Sequence, residues 1–231
     1  MFPIHDDNPT RITPYVTYVL LSACVLVFIW QISLGDAAQQ AVYSFGVIPS
    51  VLFASKSLPV ELEILPAWLT IFSSMFLHGG WMHLIGNMLY LWVFGNNVED
   101  AMGHRRFIVF YLACGLLAAL TQAVLNPDSE IPMIGASGAI SGVLGAYLLL
   151  HPHARILVVI PIIIVVYTPW IAAYWVLGFW FVLQLINSLT SASDVGGVAY
   201  GAHIGGFVAG MLLIPLFKYR HVQLFSPSKR R

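Results

Sequence analysis

Three stretches of the chain, residues 15–34, 107–125 and 169–189, are apolar over nearly the length a helix needs to cross ~30 Å of hydrocarbon. No other feature limits the possible folds so strongly. In lipid every backbone N–H and C=O must find a partner within the protein, which leaves helices as the form available to such runs. Apolar residues make up 59% of the chain and charged ones 9%, far from a soluble globular composition. Ten basic residues cancel ten acidic ones, so there is no basic surface for nucleic acid. Cys24 and Cys114 lie inside apolar runs without C-x-x-C spacing and read as packing residues. The segment before the first run carries Asp6, Asp7 and Arg11 and lacks the basic n-region and small-residue cleavage site of a signal peptide, so that run is expected to remain a span.

Three shorter segments, 83–97, 137–150 and 199–217, qualify as spans if their polar residues face protein; each is rich in Gly, Ala or Ser at helix-packing spacing. The expected fold is an all-α polytopic membrane protein of six transmembrane helices: a short cytoplasmic segment (1–14), a membrane domain (15–217) and a basic cytoplasmic tail (218–231). Residues 35–82 form a long first extracytoplasmic loop, in which 68–77 are amphipathic enough to lie in the interface. Residues 156–166 are β-branched, short and split by Pro161, and are expected to be an interfacial or protein-buried connector. Nine of the ten Lys and Arg residues then fall on the side of the termini, against Lys56 opposite, so that side is read as cytoplasmic. The short termini, without a targeting peptide, point to a prokaryotic cell membrane. No motif specifies an oligomeric state.

With this topology His83, Ser137 and His203 each stand near the extracytoplasmic start of a helix. Counting 14 residues from Ser137 and 15 from His203 to the far helix ends puts both ~21–22 Å above the cytoplasmic boundary, recessed roughly 8–10 Å from the outer one. The backbone of residues 132–135 is then non-helical at membrane depth, tolerable only where protein covers it or it lines a wet cavity. Gly135-Ala136-Ser137-Gly138 puts a serine at a glycine-flanked helix start, where free N–H groups suit an oxyanion. The competing reading is a packing stripe of Gly138, Gly142 and Ala146. His203, followed by Gly205, Gly206 and Gly210, sits on a helix able to press against the serine helix, and a serine needs such a base. His83 and Asn87, spaced i, i+4, share one face as candidate oxyanion donors or as interhelical hydrogen-bonding groups. Asp194 is a weaker candidate for orienting His203, Glu99 and Asp100 are read as capping or pairing with the Arg105-Arg106 turn, and His78 is placed to order the outer loop.

The motifs His78-Gly79-Gly80-Trp81-Met82-His83-Leu84-Ile85-Gly86-Asn87, Gly135-Ala136-Ser137-Gly138 and Ala202-His203-Ile204-Gly205-Gly206 together resemble the rhomboid family over residues 70–210. The resemblance implies an intramembrane serine endopeptidase with Ser137 as nucleophile, His203 as general base and no acid, metal or cofactor. It further implies oxyanion and substrate binding by His83, Asn87, Gly135 and the Ser137 N–H, and substrates that are transmembrane proteins cut within the bilayer. Trp170, Tyr174, Trp175, Phe179, Trp180 and Phe181 would form part of a lateral gate, or an ordinary aromatic belt. Two positions depart from the family pattern. Ser141 stands where many members have a tyrosine packed on the histidine, and Trp68-Leu69 stands where several have Trp-Arg.

The rival functions are a catalytically silent rhomboid-like protein that binds membrane clients and a haem or ion carrier using His78, His83, His151, His153 and His203. Neither the H-E-x-x-H of zinc proteases nor a mid-span aspartate pair occurs.

Overall fold

The computed structural model describes residues 2–162, 165–190 and 197–226. The chain begins with β1 (Phe2–Asp6) and α1 (Tyr15–Ser33), then crosses the long loop through three short helices, α2 (Ala38–Phe45), α3 (Pro49–Leu52) and α4 (Ala67–Ser73). Next come α5 (Trp81–Met102), α6 (His104–Leu125) and α7 (Ser137–Leu150). Strands β2 (Arg155–Ile162), β3 (Val165–Tyr167) and β4 (Trp170–Ala172) lead into α8 (Ala173–Thr190) and α9 (Tyr200–Phe217).

Among the described residues four helices, α1, α6, α8 and α9, are long and apolar enough to cross a membrane. α5 has 22 residues but carries His83, Asn87, Asn96, Asn97, Glu99 and Asp100, and α7 is apolar but has only 14. Both differ from the other four in what surrounds them. Eleven residues of α7 are buried, enclosed by α5, α6 and α9, so its polar and small residues meet protein on nearly every side.

Glycine sets how close these helices come. A Cβ on Gly206 would overlap the carbonyl oxygen of Gly138, and one on Gly210 would overlap that of Gly142. Gly145 meets the Phe207 carbonyl in the same way. The α7 and α9 backbones therefore touch, which fixes the spacing of the residues at their ends.

Beside the helices, one region of the chain forms a small sheet. β2 pairs antiparallel with β1 on one side (Phe2↔Val159, Asp6↔Ile156) and with β3 and β4 on the other. The expected connector 156–166 is thus largely sheet, as its β-branched residues favour. Pro161 is tolerated because β1 ends its pairing at Val159, leaving β2 an edge there. The run expected as a span from residue 169 becomes helical only at Ala173, since Trp170–Ala172 pair with β2 and apolarity alone does not separate strand from helix.

The segment before α1 is tied to the end of α5. α1 has no side-chain cap of its own; instead Glu99 accepts from the N–H groups of Val16 (2.9 Å) and Thr17 (2.8 Å) and from the Thr17 hydroxyl (2.7 Å). A carboxylate on these orphan donors satisfies them and meets the positive end of the helix dipole. Asp100 accepts from the N–H groups of Arg11 and Ile12, both at 3.0 Å. The expected pairing with Arg105 and Arg106 is replaced: Glu99 pairs with His104 (2.6 Å), and both acids cap the chain entering α1.

Candidate active site

Ser137 is the first residue of α7, and the backbone before it is bent by Gly135 at φ +123°, a conformation that L side chains rarely adopt. This non-helical segment is covered by the long loop. Met133 exchanges both hydrogen bonds with Val47 (2.7 and 3.0 Å), and the Gly135 N–H donates to the Ser74 carbonyl (2.8 Å). Backbone that would be costly in lipid is thereby paired with protein.

Gly135 also faces α5. A Cβ there would lie 2.7 Å from Cε1 and Nε2 of His83 and 3.7 Å from Nδ2 of Asn87, so any side chain would fill the space that these groups address. His83 Nδ1 accepts from the Gly79 N–H at 3.3 Å, which leaves its proton on Nε2, the nitrogen toward Gly135. Asn87 is buried, and its Nδ2 has no hydrogen-bond partner. The i, i+4 pair thus presents two donors to one place.

His203, in the first turn of α9, lies with Nε2 2.8 Å from Ser137 Oγ. Its Nδ1 is 2.9 Å from Oε1 of Gln184 on α8, and the Trp180 ring lies 5.9 Å away at 34°. Ser141 does not reach the histidine: its hydroxyl donates to the Ser137 carbonyl at 2.6 Å within α7. Asp194 lies outside the described residues. Ser137, His203, His83, Asn87 and Gly135 are therefore brought together, whereas His151 and His153 follow the opposite end of α7.

His78 orders the outer loop through Gln31 of α1. Its N–H donates to Gln31 Oε1 (2.9 Å), and its carbonyl accepts from Gln31 Nε2 (3.3 Å). Its Nδ1 donates to the Phe76 carbonyl (3.1 Å), and its ring stands edge-on to His83 at 5.2 Å. Burial, reinforced by His83, lowers its pKa to about 4, so the ring is neutral at pH 7. Sequence reasoning passed over Gln31 and Gln184. The available signal was an amide within an apolar run, which must find a partner inside the bundle.

The model of the Rhomboid domain matches residues 66–220, which takes in every one of these groups on α5, α7 and α9. The chain belongs to the rhomboid family. It is similar to the rhomboid protease GluP of Bacillus subtilis, 30% identical over 206 residues that cover 87% of this chain and 35% of GluP. It also resembles the mitochondrial rhomboid protein 1 of Saccharomyces cerevisiae, 29% identical over 74% of this chain and 49% of the relative. The rhomboid protease GlpG of Salmonella newport is 26% identical over 92% of this chain and 66% of its own length. The chain thus spans about a third to a half of the length of the first two relatives. A rhomboid domain with four long apolar helices makes this an integral membrane protein.

Proposed function

We propose that this rhomboid is an intramembrane serine endopeptidase that hydrolyses peptide bonds in or near the transmembrane segments of membrane-protein substrates. The observation that carries the reading is the 2.8 Å contact between Ser137 Oγ and His203 Nε2 at a helix start. In the proposed reaction Ser137 attacks the scissile carbonyl as His203 takes its proton. The oxyanion is received by His83 Nε2–H, Asn87 Nδ2 and the Ser137 N–H, with Gly135 leaving room for the substrate backbone. His203 then protonates the leaving amine, and a water that it activates hydrolyses the acyl-enzyme. No cofactor enters this scheme.

The proposed topology adds α5 and α7 to the four long helices as spans sheathed by protein, six in all, with both termini cytoplasmic. Nine of ten basic residues on the side of the termini support it. The site then opens to the extracytoplasmic side. A prokaryotic cell membrane is the proposed host, with the mitochondrial relative marking the alternative.

Purified protein in liposomes is expected to cut a model single-span substrate, and Ser137→Ala and His203→Ala are each expected to abolish cutting with the fold intact. Undiminished cleavage by Ser137→Ala would overturn the mechanism. A cysteine placed at residue 137 should be labelled from the extracytoplasmic side; labelling only from the cytoplasm would overturn the topology.

A further inference from the structure

We propose that Gln184 of α8 is the positioning residue of His203, its amide oxygen holding the imidazole in the Nδ1–H tautomer so that the Nε2 lone pair stays on Ser137. The inference rests on the Ser137–His203 reading above.

The hydrogen bonds around Gln184 determine which way its amide points. Gln184 Nε2 lies 3.1 Å from the Trp180 carbonyl oxygen, and a carbonyl can only accept. The amide nitrogen must therefore face Trp180, which leaves Oε1 toward the histidine. Oε1 in turn can only accept, so the His203 nitrogen 2.9 Å away, Nδ1, must carry the ring proton. Nε2 is then the unprotonated nitrogen, and it is the one beside Ser137 Oγ. A backbone carbonyl one turn down α8 thus fixes, through one amide, which nitrogen serves as the base.

Gln184 and His203 are both buried, so turning the amide away would leave a donor and an acceptor without water to replace them. Other groups near the ring do not take this role. Ser141 is committed to the Ser137 carbonyl, and Trp180 offers a face rather than an acceptor. The titratable groups facing His203 are His83 of α5 and Tyr200 of its own helix; among the described residues the Lys56–Glu130 salt bridge and the Glu99–His104 contact both lie away from this site. A neutral amide fixes the tautomer but, unlike a carboxylate, adds no charge to stabilise the imidazolium.

Nitrogen NMR of ring-labelled histidine tests this directly, with His203 assigned by the signal lost in His203→Gln. His203 should be protonated at Nδ1 in the parent protein and in Ser137→Ala. Gln184→Leu should populate the other tautomer and lower kcat roughly 10- to 100-fold with little change in KM. Gln184→Glu keeps an acceptor: it should restore the Nδ1–H signal and most of kcat, and its charge should move the acid limb of the kcat profile to higher pH. Retention of the parent tautomer and kcat in Gln184→Leu would overturn the proposal, as would a Gln184→Glu protein as impaired as Gln184→Leu. Because the ring signals are read without turnover, a chain that cuts no substrate would count against the protease reading and leave the tautomer assignment to its own result.

Discussion

α5 and α7 carry buried polar residues at both of their ends, and the two ends differ in how completely those groups are paired. At the end beside β1, Asp6 accepts from the Tyr147 hydroxyl (2.7 Å) and from Asn97 (2.9 Å), while Asn97 in turn accepts from Asn8 (2.8 Å). Glu99 takes three donors from the start of α1 and pairs with His104. At the Ser137 end, Asn87 Nδ2 and His78 Nε2 are buried with no partner. An unpaired buried polar atom costs about 1–3 kcal/mol, so a fold keeps one where something else gains from it. The saturated end holds the helices together; at the other end the Asn87 amide keeps a free donor, which the proposed mechanism assigns to a developing negative charge.

That contrast can be broken first at Ser137. Ser137→Ala should lower the rate of substrate cleavage by more than roughly 10³-fold while leaving the thermal unfolding midpoint in place. Asn87→Ala comes next, with an expected loss of about 10²- to 10³-fold in kcat and no loss of stability, because the removed donor has no partner in the folded protein. A clear drop in unfolding midpoint for Asn87→Ala would mean that this amide is structural. Glu99→Ala should do the reverse. It strips three donors of their acceptor at a fully buried site, at a cost of about 3 kcal/mol, and cleavage per folded molecule should stay near the parent value.

The smallest expected effect sets the two ends against each other through pH. Burial raises the Asp6 pKa to about 6 despite the opposing hydrogen bond from Tyr147, so between about 4 and 6 the folded protein holds a proton that the unfolded chain has released. Stability at the β1 end should therefore fall as pH rises through that window. His78, lowered to about 4, works the opposite way: the unfolded chain takes up a proton below about 6.5 that the folded loop refuses, so the loop weakens as pH falls. Hydrogen exchange measured between pH 4 and 7 should show protection of residues 2–6 rising and that of residues 77–80 falling on acidification. Asp6→Asn should flatten the first trend alone, and parallel trends in both segments would remove the distinction.

The parts of this molecule legible in the sequence are those fixed by spacing along one helix or by the length of an apolar run. His83 and Asn87 share a face because 3.6 residues make a turn, and Ser137 and His203 both stand in the first turn of a helix, as the apolar runs 137–150 and 199–217 imply. Residues 155–172 were not legible, because a short β-branched apolar run suits a strand and a buried helix alike and its partner, Phe2–Asp6, lies far away in sequence. Gln184 escaped for a related reason. An amide within an apolar run announces that it needs a partner, but only the packing of α8 beside α9 shows that the partner is His203.

The pairing of β1 with β2 also bears on how the chain is made. Asp6 and Tyr147 are 141 residues apart, and Phe2 meets Val159. At about 5–20 residues per second of synthesis, residues 2–6 emerge on the order of ten seconds before the strand and the tyrosine that will hold them. Throughout that interval α1 and α6 can enter the bilayer with β1 unpaired. A ribosome stalled before residue 147 should therefore carry a nascent chain whose residues 2–6 are open to protease, and release of the completed chain should close them.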